Sequence, residues 1–263
     1  MECQDTIKHL KINFKKRIST VVLVVEGADY EFELFKRIFR NILHYSLITK
    51  SRNQNEFKEY NEFVMKGNEN SKIIIINTKN SNIGSIEDDE TYRNELYKLL
   101  YQKYKLDIKN IPLYYIWDRD RCSNQYNKVK TLLLKLTNAY ENKNYENGLL
   151  LLLLSYPCCE TYTISNFEKN KFYINDNIKE YLKNNNYKLS LIDRYKIQKA
   201  VIEMLKSLDK LNIKNFNIDN FSKINIKAFE AEEIFFNKNK TYILLSFISI
   251  IFIDLGIITF KEN

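Results

Sequence analysis

Glycine and proline are scarce, at 5 and 2 of 263 residues. That scarcity leaves little room for long flexible linkers or a turn-dense β architecture, so helices and short connections are expected to dominate. Histidine is limited to His9 and His44, and the four cysteines, Cys3, Cys122, Cys158 and Cys159, show no CxxC spacing. Zinc chemistry is therefore not expected, and adjacent Cys158 and Cys159 make no natural disulfide framework. A reduced, cytoplasmic setting fits best. The start, Met1-Glu2-Cys3-Gln4-Asp5, lacks the basic, apolar and small-residue order of a signal peptide, so secretion is not expected.

What is present is a chain 44% hydrophobic, enough to bury one sizeable core or a core with a smaller appended domain. The 41 Lys and Arg against 33 Asp and Glu give a net charge of +8, which suits a polyanionic partner through phosphate neutralisation and counterion release. Richness in Asn, Lys, Ile and Tyr also fits an A/T-biased genome, which weakens the inference from charge. Tyr242 to Phe260 is almost wholly apolar and, at about 19 residues, long enough to span a bilayer. Asp254 inside it would be costly at membrane depth, so a buried C-terminal helix, or helix plus strand, is expected and a membrane contact is not.

Four apolar runs are spaced along the first two thirds: Thr20 to Glu26, Lys72 to Thr78, Pro112 to Asp118 and Gly148 to Tyr156. Continuous apolar strands belong to sheets covered on both faces. The leucine run of the fourth also fits a buried helix. Helical spacing links Phe35, Ile38, Phe39, Ile42 and Leu43, then Leu96, Leu99, Leu100 and Tyr104, then Leu132, Leu133, Leu136 and Tyr140. The expected fold is α/β, a parallel sheet with helices on both faces over residues 1–168. Residues 169–263 read as a mainly helical region packed on it, while Asn53 to Asn70 and the acidic Glu87 to Glu90, with Ser85 as an N-cap, read as solvated connections or helix starts.

The first strand ends in Val25-Glu26-Gly27 just before a helix pattern, which puts Glu26 at the carboxyl edge of the sheet, where ligands bind in open α/β folds. Gly27 lets the backbone turn sharply beside a substrate or metal. The third strand ends in Ile116-Trp117-Asp118-Arg119-Asp120, and in extended backbone Asp118 and Asp120 project to one side and can share a cation. Each signal alone is also an ordinary turn; two acidic clusters at one sheet edge are a candidate phosphotransfer site. There Glu26 would move a proton and magnesium, with manganese able to substitute, would polarise a phosphodiester. Arg119 and Arg121 read either as phosphate donors or as partners of nearby carboxylates. Glu31 and Asp29 read as metal contacts or helix-start acids, Glu160 as a helix-start acid, and Cys158 and Cys159 as small buried residues.

The segment Val24-Val25-Glu26-Gly27, with Glu31 and Leu34-Phe35 after it, resembles the opening motif of the RloB-like branch of Toprim proteins, related to OLD-family-type Toprim nucleases. Trp117-Asp118-Arg119-Asp120 resembles that branch's DxD motif, and Ser155-Tyr156-Pro157-Cys158-Cys159-Glu160 its Ser-Asn-Pro-Cys-Phe-Glu motif. Tyr156 and Cys159 depart from the pattern, and the Glu26-to-Asp118 gap is long. The resemblance spans about residues 18–167. It implies a four-stranded parallel sheet with the first and third strands adjacent and a metal-dependent nuclease site. Glu26 would be the motif glutamate, Asp118 and Asp120 the metal-binding aspartates, and Glu31 and Glu160 accessory acids. It also implies a role in bacterial anti-phage defence with nucleic acid, DNA or RNA, as substrate. A defence-system partner protein is expected, and a homodimer is compatible. A non-catalytic Toprim module signalling to a partner is the alternative; primase-like nucleotidyl transfer ranks below it.

Overall fold

In a computed structural model of the chain, residues 10–27, 29–48, 60–77, 101–102, 111–121, 125–141, 149–175 and 177–260 are described. Cys3, His9, Cys122, Ser85, Glu87 to Glu90, and Leu96, Leu99, Leu100 and Tyr104 lie outside them. The fold is α/β, with a mixed parallel and antiparallel sheet. The strands are β1 (Leu10–Ile12), β2 (Val21–Val25), β3 (Tyr45–Ile48), β4 (Tyr60–Met65), β5 (Asn68–Asn77), β6 (Pro112–Asp118), β7 (Leu149–Tyr156), β8 (Leu245–Ser246) and β9 (Ile258–Phe260). Seven of them form one sheet in the order β3-β4-β5-β2-β6-β7-β8.

The chain divides into two compact units, and the division falls within β6 and β7. The first, here the sheet unit, comprises Arg17–Ile116 and Leu134–Leu152. Its centre is β2, all five of whose residues are buried. β2 pairs in parallel with β5 on one side and β6 on the other, with Val25 opposite both Asn77 and Ile116. Burial on both faces explains why these strands read as unbroken apolar runs. The first and third of the four runs are therefore adjacent strands.

Two further strands, β3 and β4, extend the sheet antiparallel beyond β5, turning through Gly67 at a φ of 79°. Tyr60 to Asn70 thus belongs to strands and their turn, where a solvated connection is expected from the sequence. The sequence hides β3 and β4 because their short runs, YSLI and YNEFVM, mix polar with apolar residues in no regular period, as suits strands at the margin of a sheet. The helix that follows β2, α1 (Tyr30–Lys36), continues into a π-helical stretch over Arg37–Ile42. Phe35, Ile38, Phe39, Ile42 and Leu43 are all buried, as their spacing predicts. Phe39 meets Phe35, Phe63 and Tyr45 at ring distances of 5.9, 6.3 and 6.2 Å.

The second, or helical, unit gathers Met1–Lys16, Trp117–Leu133 and Leu153–Asn263. It holds α3 (Glu160–Phe167), α4 (Ile178–Asn184), α5 (Arg194–Lys210), α6 (Phe221–Asn239) and α7 (Ile248–Asp254); α2 (Tyr126–Glu141) starts in it. Asn177 and Asp193 accept backbone N–H bonds as N-caps of α4 and α5, and Lys240 ends α6 in the left-handed conformation at a φ of 59°. The apolar stretch Tyr242 to Phe260 is split into β8, α7 and β9 and is largely buried. Among the described residues no helix is long and apolar enough to cross a membrane.

Candidate functional site

In the sheet unit, Glu26 follows β2 directly and is half-buried. The Gly27 N–H donates to Oε1 of Glu31 at 3.1 Å, and Glu31, in the first turn of α1, is itself buried. A Cβ at residue 27 would fall inside van der Waals contact with both carboxylate oxygens of Glu31, so glycine supplies the room that carboxylate occupies. Asp29 makes no side-chain cap bond; its carbonyl accepts from the Glu33 N–H at 3.1 Å.

In the helical unit, Asp118 is the last residue of β6 and is half-buried. Its Oδ1 accepts the Cys159 N–H at 2.7 Å, which ties the end of β6 to the start of α3. Asp120 lies beyond the strand and is exposed. Glu160 opens α3, is buried, and meets Lys179 Nζ at 3.4 Å. The Cys158 thiol is pushed far above its usual range, first by burial and then by the Glu160 and Asp118 charges. A buried thiol raised in this way is not a ready nucleophile.

Arg119 and Arg121 alternate with these aspartates, and both turn to α6. Arg119, fully buried, donates through Nε to Glu233 Oε1 at 2.8 Å, and Arg121 donates through Nη2 to Glu233 Oε2 at 2.9 Å. Their guanidinium carbons lie over the rings of Phe229 and Phe236, at 5.3 and 4.4 Å. Tyr242 Oη adds a third donor to Glu233 Oε1 at 3.1 Å. Of the two readings open to these arginines, carboxylate pairing is the one seen, and Glu233 is the residue that the sequence reading missed. One signal for it exists: Phe229, Glu233 and Phe236 share a helical stripe, and an acid embedded in an apolar stripe calls for a buried cation.

Glu232, next in sequence, is buried, and among the described residues no cation is seen to pair with it. Its Oε2 accepts the Ile243 N–H at 3.0 Å, while Oε1 has no hydrogen-bond partner. Burial, with the neighbouring Glu233 charge behind it, pushes its carboxyl well above the ordinary 4.5. A raised carboxyl holds its proton in the folded state after the unfolded chain has lost it. Stability from this group is therefore full below about pH 4.5 and declines as pH rises toward the folded-state value. Glu232→Gln is accordingly expected to raise the unfolding temperature at pH 8 and to leave it unchanged at pH 4, read by thermal denaturation at both. No gain at pH 8 would show that Glu232 is not held protonated.

No protein-family model matches this chain, no curated protein is similar to it, and no solved structure matches its fold.

Proposed function

We propose that this chain is a magnesium-dependent nuclease that cleaves phosphodiester bonds in DNA or RNA, built on a Toprim-like core. The observation that carries the reading is the parallel pairing of β2 with β6, in which Val25 stands opposite Ile116. Glu26 follows Val25, and Asp118 lies two residues past Ile116, so both acids belong to the carboxyl ends of two adjacent parallel strands. Further support comes from the motif resemblance to RloB-like Toprim proteins.

In this reading Asp118 and Asp120 hold the metal, with Glu31 and Glu160 as accessory acids. Bound magnesium supplies Lewis-acid polarisation of the phosphodiester and a more acidic water. Glu26 would take the proton from an attacking water or return one to the leaving oxygen. Gly27 leaves room for the Glu31 carboxylate and donates its N–H to it. Glu233 fixes Arg119 and Arg121, and through them the segment that carries both aspartates. Strands β5, β2, β6 and β7 would be the Toprim sheet of a domain over residues 1–168, with residues 169–263 appended. Anti-phage defence in the cytoplasm, with a partner protein that restrains the enzyme, follows from the same resemblance.

The test is incubation of purified protein with plasmid DNA and with total RNA, with and without magnesium or manganese, alongside Glu26→Gln. Metal-dependent cleavage that the variant loses is expected; no cleavage under any condition, or equal cleavage by the variant, sinks the proposal. Cellular toxicity that survives Asp118→Asn with Asp120→Asn would point to the non-catalytic signalling module.

A further inference from the structure

One residue beyond Asp120, within the helical unit, an open groove of 420 Å³ is lined by Arg121, Tyr126, Glu230, Glu233, Ile234 and Asn237. One aromatic ring, Tyr126, and one guanidinium, Arg121, are among its lining groups. Tyr126 at the head of α2 is 38% exposed and stacks on the buried Phe229 ring at 5.2 Å and 25°. Arg121, also on its lining, is held as a plate: its guanidinium lies over the Phe236 ring at 4.4 Å, is bonded to Glu233, and donates to Asn237 Oδ1 at 3.4 Å. Ile234 is 71% exposed, an apolar side chain left in water. Lys130 pairs with Glu230 at 3.2 Å and lies 5.7 Å from the Tyr126 ring.

The charges decide what fits. Two cations, Arg121 and Lys130, face two carboxylates, Glu230 and Glu233, so the groove offers no net pull on a phosphate. It offers instead a tyrosine face and a guanidinium plane for stacking, an apolar contact, and a carboxylate and an amide that can meet the donors and acceptors of a heterocycle's edge. We propose that this groove takes an unstacked base of a single-stranded nucleic acid, with Tyr126 and Arg121 as its stacking surfaces and Glu230 and Asn237 on its edge. This rests on the nuclease reading and narrows it: the substrate class is a strand with unpaired bases. Every base has a π face, so stacking of this kind tolerates sequence. Duplex bases, already stacked and paired, cannot enter.

The experiment measures binding apart from cleavage. Fluorescein-labelled oligo-dA and oligo-dT of about 12 nucleotides, and a duplex of the same length, are titrated with the whole protein in EDTA and followed by anisotropy. Single strands are expected to bind more tightly than the duplex. Tyr126→Ala should weaken single-strand binding roughly 5- to 100-fold, while Tyr126→Phe retains it. Should Tyr126→Ala lose its fold by circular dichroism, Ile234→Glu puts a charge into the groove from an exposed position and is expected to weaken binding in the same range. The proposal is overturned if no oligomer binds, if the duplex binds as tightly as the single strands, or if a folded Tyr126→Ala or Ile234→Glu binds like wild type. Binding with this pattern but no metal-dependent cleavage would remove the nuclease reading and keep the groove; cleavage without this pattern would do the reverse.

Discussion

Glu233→Ala is expected to destabilise the protein by about 3–5 kcal/mol. The size follows from what the substitution leaves behind. Arg119 is fully buried, and the Glu233 carboxylate is the acceptor of its Nε–H. Removing that carboxylate takes the counter-charge from a buried guanidinium and an acceptor from the Tyr242 hydroxyl and from Arg121. A buried pair need not itself add stability, because desolvating both charges offsets much of their attraction. That distinction is measurable. Urea denaturation should show the large loss for Glu233→Ala and a much smaller one for Glu233→Leu combined with Arg119→Met, which removes both charges at similar volume. Equal loss in the two would mean that the charge pair is not the source of the effect.

Asp118 should separate folding from function. Its Oδ1 accepts the Cys159 N–H at 2.7 Å, and Cys159 is 1% exposed. Asp118→Ala leaves that N–H buried without its acceptor, at a cost of about 1–3 kcal/mol. Asp118→Asn keeps an oxygen for the bond and removes the charge. On the nuclease reading both variants lose metal-dependent cleavage by at least about 10-fold, since a ligand lost from the first coordination sphere costs no less than a second-sphere partner. Urea denaturation should then find Asp118→Asn near wild type and Asp118→Ala weakened. Cleavage retained by a folded Asp118→Asn would remove Asp118 from the reaction.

The four apolar runs were legible because a strand covered on both faces has no polar alternation to disguise it: each run coincides with β2, β5, β6 or β7 to within a few residues. Leu149–Tyr156 settles as strand, although its leucines alone fit a helix equally well. Strands β3 and β4 were illegible for the opposite reason, since Tyr45–Ile48 and Tyr60–Met65 mix apolar with polar residues as a sheet margin does. Glu26, Gly27, Glu31 and Asp118 could be named because strand ends are visible in sequence. The bond from Gly27 to Glu31 needs only four residues of chain, whereas that from Cys159 to Asp118 spans 41, and no local pattern specifies it. Glu233 was harder still, because its role depends on two arginines more than a hundred residues away.

That separation has a consequence in the order of synthesis. The chain enters and leaves the helical unit more than once, and the segment carrying Asp118 to Arg121 is made long before α6. At ribosomal rates the 114 residues between Arg119 and Glu233 take roughly 6–20 s to appear. For that time Arg119 has no Glu233 to neutralise it, and burying its charge is unfavourable. The aspartates it alternates with therefore lack, while the chain is growing, the anchor that Glu233 gives to Arg119 and Arg121. A nascent or prematurely ended chain that stops short of α6 would carry the acids of the candidate site without the anchor that fixes them.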